Sequence, residues 1–261
     1  MNAPAACVTR IDERRRGPAQ FRASELLRWA GIGEYAGPDT DRIVFPLRRV
    51  PALAMLYVEG QPLHNLYCVA SGSFKYIQND VEGYEQVLGF ALHGDMLGLD
   101  ALCDHQHASS AVALEDSSVV VLPFAELLAA SRQVPALERL VLRATGAELR
   151  QRGDTQYLMA APSSEVRVAR FLLHLARRQA ALGQSGRRLR LRMTRRDIAS
   201  CLGVAHETVS RALTGLAQSG CIAVSHRDIE IVDADGLQRM QRVTRGATRA
   251  SLAPEPRMFV A

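Results

Sequence analysis

At 261 residues the chain is long enough for about two domains of roughly 150 residues, each with its own core. Apolar residues at 48% and charged residues at 23% exclude a disordered or collagenous chain, and uncharged stretches such as 53–58 and 117–125 fall far short of the roughly 20 residues of a membrane helix. Charge is uneven: residues 1–161 hold 15 Lys and Arg against 19 Asp and Glu, net −4, whereas residues 162–261 hold 17 against 8, net +9, which points the carboxyl-terminal part toward a polyanion.

Residues 1–20 have neither hydrophobic periodicity nor the apolar core of a signal peptide, so a mobile tail and a cytoplasmic protein are expected. From about Arg42 to Phe124, short apolar runs such as LAMLYVEG, LYCVASG and SSVVVLP are punctuated by Gly60, Gly72, Gly83, Gly94 and Gly98. Strands separated by turn signals at this spacing predict an antiparallel β-roll over residues 21–125.

After Pro123 the pattern turns helical, and residues 126–161 predict one long helix of about 25 residues. The seam Leu137, Val141, Ala144 and Leu158 follows a 3-4 spacing with a polar middle at Glu148, Gln151 and Thr155. It is expected to pair two copies of the chain, the alternative being that it packs on its own β-roll. Pro162, Ser163 and Ser164 mark the boundary of a second domain, residues 162–243, because Pro cannot continue the helix and Ser caps the next. A helix over Glu165–Ala181, a loop over 183–190 and a short strand over 189–193 follow, and residues 244–261 read as a second tail.

Five cysteines, Cys7, Cys68, Cys103, Cys201 and Cys221, form no C-x-x-C pair and are odd in number. That fits a reducing compartment and not a disulfide framework. No Ser-His-Asp, paired-carboxylate or phosphate-loop pattern emerges, so the chain is not expected to be an enzyme.

The most informative stretch is MTRRDIASCLGVAHETVSRALTGLAQSGCIAV, residues 193–224. Thr194 and Asp197 form a capping-box pattern opening one helix, with Leu202, Gly203 and Val204 as the turn after it. A second helix runs from His206 to a terminating Gly220. On it Val209, Leu213 and Leu216 make a buried stripe, while Glu207, Ser210, Arg211 and Thr214 fall on another face. Residues 221–224 and 229–232 are apolar runs joined by Ser225, His226, Arg227 and Asp228, a hairpin that would form a wing. A helix-turn-helix with polar side chains on the free face of its second helix, inside a domain of net +9, predicts binding to double-stranded DNA. An ordinary solvated helix surface is the weaker alternative.

The order of these parts, with LYCVASGSFK, GFALHGDMLGLDAL, ALEDSSVVVLPF, TRRDIASCLG and HETVSRALTGLAQSG, resembles the Crp/Fnr family of bacterial transcription regulators over residues 42–240, and its fumarate and nitrate reduction branch in particular. The resemblance implies an α+β chain: a cyclic-nucleotide-binding-like β-roll, a long dimerisation helix and a winged helix-turn-helix. It also implies a homodimer that binds a TTGAT-type palindrome, recruits RNA polymerase and activates transcription. In that branch the pattern E-x-x-S-R reads the half-site, and it stands here as Glu207, Ser210 and Arg211. The chemistry agrees, since Arg donates twice to guanine, Glu accepts from cytosine and Ser reaches thymine. Thr194, Arg195, Arg196, His206, Thr208 and Thr214 are the candidates for phosphate contacts. Ala205 departs from the family, which has Ser or Thr as the cap of this helix.

The effector is less legible. Cyclic-nucleotide members of the family hold the phosphate with a Glu just after a glycine and an Arg-Ser pair downstream; here Leu99 follows Gly98, and Ser109 and Ser110 take the place of the pair, so cyclic AMP is not expected. The branch's iron-sulfur cluster needs four thiolates; only Cys7 lies near the amino terminus, and Val121 stands where the fourth cysteine would be, so no cluster is expected. A metal at Cys103, His105 and His107, redox chemistry at Cys68 or Cys103, and a haem held by His93, His64 or His105 define the other reading, a small-ligand, haem or redox sensor whose β-roll is the main functional part. The expectation is a buried or bystander role for the cysteines, a solvated turn at 103–107, and no bound cofactor.

Overall fold

The computed structural model describes residues 20–80, 82–161 and 163–243. Both expected tails, apart from Gln20, and the boundary residue Pro162 lie outside these. The described residues form two compact units: one takes those up to Tyr76 together with Phe90–Leu149, the other Ile77–Gly89 together with those from Arg150 onward.

The first unit opens with strand β1 (Gln20–Arg22) and helices α1 (Ala23–Trp29) and α2 (Pro38–Arg42), none of which the sequence reading had drawn. Seven and five residues are too short to display a helical period. Eight strands follow, of which β5 and β6 run into the segment Ile77–Gly89 of the second unit: β2 (Val44–Val50), β3 (Met55–Tyr57), β4 (Asn65–Ser71), β5 (Phe74–Asn79), β6 (Glu85–Ala91), β7 (Met96–Leu97), β8 (Ser110–Ala113) and β9 (Ser117–Pro123). They build two sheets, ordered β1-β2-β9-β4-β7 and β3-β8-β5-β6. Strand β4 pairs antiparallel with β9, setting Leu66 opposite Leu122 and Cys68 opposite Val120.

Side chains alternate along a strand, and here both faces are covered. Leu66 and Cys68 of β4 join Phe45, Val120 and Leu122 in a core shared with α1, while Tyr67 and Val69 join Val50, Phe74 and Val119 in a second core. That is why β4 reads as a continuous apolar run. All five glycines assigned to turns adopt positive φ, between 80° and 90°. At Gly72 the requirement is double, because a Cβ there would also sit 2.8 Å from the Ser117 backbone.

The long helix is two helices, α3 (Phe124–Ser131) and α4 (Pro135–Met159). The break at Arg132–Val134 comes just before Pro135, whose fixed φ and missing N–H suit the first position of a helix. Its apolar stripe also faces differently from the expected dimer seam. Leu137 and Leu158 are buried, and Leu137, Val141 and Ala144 pack with the core of the roll. Leu137, Val141 and Ala144 thus cover an apolar face of the roll. Among the apolar side chains that α4 leaves exposed are Leu142 and Leu149, seven residues apart and each about two-thirds exposed, with Gly146 between them facing open space.

The second unit carries α5 (Ser164–Ala181), β10 (Arg188–Arg190), α6 (Arg195–Leu202), α7 (His206–Gln218), β11 (Ile222–Ser225), β12 (Asp228–Ile231) and α8 (Ala234–Val243). The Ser163 side chain accepts from the Val166 amide and caps α5. The strand expected over 189–193 is β10 instead, and it lies beside β12 in an antiparallel sheet ordered β10-β12-β11. Helix α8 is a further element absent from the sequence reading. Among the described residues no helix is long and apolar enough to cross a membrane.

Candidate nucleic-acid interface

Helix α6 begins with a complete capping box. The Thr194 hydroxyl accepts from the Asp197 amide at 3.0 Å, and the Asp197 carboxylate accepts from the Thr194 amide at 2.8 Å. The same carboxylate also accepts a hydrogen bond from the Thr194 hydroxyl at 2.7 Å, so this side chain, a candidate for a phosphate contact, is engaged in the cap. Gly203 ends α6 in the left-handed conformation, φ 62°, and the chain turns into α7.

Helix α7 divides cleanly. Val209, Ala212, Leu213 and Leu216 are buried, whereas Glu207, Ser210, Arg211 and Thr214 are exposed. Their protein contacts are local. Arg211 Nη2 donates to Thr208 Oγ1 at 3.3 Å, the Ser210 hydroxyl to the His206 carbonyl at 3.4 Å, and the Thr214 hydroxyl to the Ser210 carbonyl at 3.1 Å. Glu207 lies 3.3 Å from His206 Nδ1 in a solvated pair, which holds it only weakly. An acid, a hydroxyl and a guanidinium thus share one free face, the combination able to donate to guanine and accept from cytosine. Ala205 stands at the cap of α7, and no side chain satisfies the amides of the first turn there.

The wing is the β11–β12 hairpin, closed by a two-residue turn at His226 and Arg227 with His226 at φ 53°. Arg195 donates from Nη2 to the His226 carbonyl at 3.2 Å, and burial lowers its pKa from the ordinary value. It ties the wing to α6, while Arg196 is exposed. A residue the sequence reading missed is Arg167 on α5, whose Nη1 donates to the carbonyls of Leu202 (3.0 Å) and Gly203 (3.2 Å) and whose Nε donates to that of Ala161 (3.1 Å). It pins the turn between α6 and α7. Nothing local in sequence signals its hold on the turn, since the Leu202 and Gly203 carbonyls lie 35 and 36 residues away.

In the β-roll the polar side chains after Gly98 bond within the protein. Ser109 donates to Asp100 Oδ2 at 2.7 Å, and His107 Nδ1 lies 3.4 Å from Asp100 Oδ1. The Ser110 hydroxyl accepts from the Glu59 amide at 2.9 Å. The Tyr57 ring stacks on His107 with centroids 4.0 Å apart, and its phenol pKa is pushed up by burial first and then by Asp100. Asp100 thus sets a buried carboxylate beside Ser109, one of the two serines that stand in place of the family's Arg-Ser pair.

Among the described residues no group of three or more His, Cys, Asp or Glu could hold a metal. Val121 lies on β9, and Cys7 lies outside the described residues. Cys68 is buried with its thiol pushed up to about 12, by desolvation and then by Asp95, which suppresses the reactive thiolate. Cys103 is exposed. Among the haem candidates, His93 uses Nδ1 on the Ala70 carbonyl at 2.9 Å and packs against Trp29, whereas His64 and His105 are exposed.

Residues 166–240 match the family model of the Crp-like helix-turn-helix domain, and residues 47–133 match that of the cyclic nucleotide-binding domain. The transcriptional regulatory protein btr of Bordetella pertussis is 38% identical over 200 residues, covering 77% of this chain and 83% of that protein. The fumarate and nitrate reduction regulatory protein of Escherichia coli is 35% identical over 214 residues, covering 82% and 86%. Among solved structures, FixK2 of Bradyrhizobium japonicum is similar at 30% identity with a TM-score of 0.68, over 76% of this chain and 97% of that one. The two curated relatives are named as regulatory proteins, and the family model that covers residues 166–240 is that of a helix-turn-helix. With both of its domains matched in order, the chain belongs to the Crp/Fnr family of transcription regulators.

Proposed function

We propose that the protein is a homodimeric, sequence-specific activator that reads a TTGAT-type palindrome with Glu207, Ser210 and Arg211. The observation that carries this reading is the division of α7, with those three side chains exposed on a helix whose other face, Val209, Leu213 and Leu216, is anchored in the domain. Arg211 donates to the half-site guanine, Glu207 accepts from cytosine and Ser210 contacts thymine. Arg196, His206, Thr208 and Thr214 set register on the phosphates. Pairing of two copies uses the exposed Leu142, Gly146 and Leu149 of α4. Activation through RNA polymerase follows the resembled branch by analogy, and a regulator that reads chromosomal DNA works in the cytoplasm. The protein acts without cyclic nucleotide, iron-sulfur cluster or haem, in keeping with the Asp100, Ser109 and His107 cluster and the scattered cysteines.

Fluorescence anisotropy on the palindrome and on a scrambled duplex tests the reading. Arg211→Ala should cost about 1 to 3 kcal/mol on the palindrome and far less on the scrambled duplex. Equal binding of both duplexes by both proteins would refute it.

A further inference from the structure

Within the second unit, the face of α6 bearing Ser200 does not meet DNA in this account, yet Ser200 is 8% exposed. Its hydroxyl accepts from the Val87 amide at 2.8 Å and donates to the Glu85 carbonyl at 3.1 Å. The Gln86 side chain, between those two residues, donates from Nε2 to the Ser200 carbonyl at 2.6 Å. Strand β6 ends its sheet order, so the outward amides and carbonyls of Glu85 and Val87 face no further strand. Such edge groups need a partner when they are covered. One hydroxyl takes the place of a neighbouring strand, accepting one amide and donating to one carbonyl two residues apart. All six residues from Asp197 to Leu202 are buried, while the polar face of α7 stays free.

We propose that Ser200 and Gln86 are positioning residues for DNA recognition: the β6 edge at Glu85, Gln86 and Val87 latches α6 and, through the Gly203 turn, fixes the direction of α7. This rests on α7 being the DNA reader. A dimer on a palindrome must present two recognition helices one helical turn of DNA apart, about 34 Å. A loosened α6 therefore weakens the palindrome complex, in which both helices must be aligned at once, more than contact with a single half-site.

The test uses the full chain with Ser200→Ala and Gln86→Ala. Two measurements are made: amide hydrogen exchange at Val87, and affinity for the palindrome and for a duplex with one half-site beside scrambled sequence. Faster Val87 exchange in Ser200→Ala is expected, with palindrome affinity about fivefold weaker for Ser200→Ala, about threefold weaker for Gln86→Ala, and half-site affinity within about twofold of wild type. Unchanged Val87 exchange overturns the latch whatever the DNA results. Palindrome affinity that is unchanged or tighter, or an equal loss on both duplexes, overturns the positioning role. Failure of the wild-type protein to prefer the palindrome over scrambled DNA would instead bring down the reading of α7, a separable result.

Discussion

On α7 the acid, hydroxyl and guanidinium reach into solvent with only neighbours on their own helix for partners, whereas around Gly98 in the β-roll the polar groups are turned on one another. A binding surface differs from a filled one in where its polar groups find partners. Glu207, Ser210 and Arg211 keep most of their hydrogen-bonding capacity for an outside partner. Asp100, Ser109, Ser110 and His107 have found theirs within the protein, and a ligand phosphate would have to break them apart.

Loss of one polar group has opposite consequences in the two regions. Asp100→Ala strands Ser109 and His107 in the interior and should lower unfolding stability by about 3 kcal/mol in urea titrations, with DNA affinity of the folded fraction unchanged and no rise in melting temperature on adding cyclic AMP. A cyclic-AMP-dependent stabilisation of the wild-type protein would show that the roll still binds the nucleotide. Arg211→Ala should do the reverse, changing stability by less than about 0.5 kcal/mol while weakening the palindrome complex as stated above.

A smaller effect comes from the uncapped start of α7. Ala205→Ser supplies the missing side-chain acceptor and should raise stability by about 1 kcal/mol, read as a higher denaturation midpoint. Smaller still is the thiol chemistry. Iodoacetamide at pH 8 should label Cys103 and spare Cys68 and Cys201, both pushed up to about 12 by burial. Unfolded thiols ionise near 9.0, so the stability these two contribute is complete below pH 9 and is lost as pH rises toward 12. Mass spectrometry that finds Cys68 labelled first would contradict the burial argument.

The helix-turn-helix was legible because its signals are local. The Thr194 and Asp197 box, Gly203 and the i, i+4, i+7 stripe of Val209, Leu213 and Leu216 each lie within a few residues. The turn glycines of the roll were legible for the same reason. Helices α1 and α2 are too short for a period to show, and the break before Pro135 was hidden by apolar residues on both sides. The direction of α4 could not be read from periodicity, because Leu137, Val141 and Ala144 and the pair Leu142 and Leu149 are both spaced for a helix face. Only the presence of the roll decides which face turns inward. Arg167, Ser200 and Gln86 act through backbone atoms distant in sequence, and no spacing rule reaches them.

The claim on which the account turns is that the Arg211 guanidinium meets a base edge. Replacing the half-site guanine by 7-deazaguanine deletes one acceptor, N7, and leaves base pairing intact. The wild-type protein should lose affinity for the altered palindrome while Arg211→Ala binds altered and unaltered DNA alike. Equal losses by the two proteins, or none by the wild type, would contradict it.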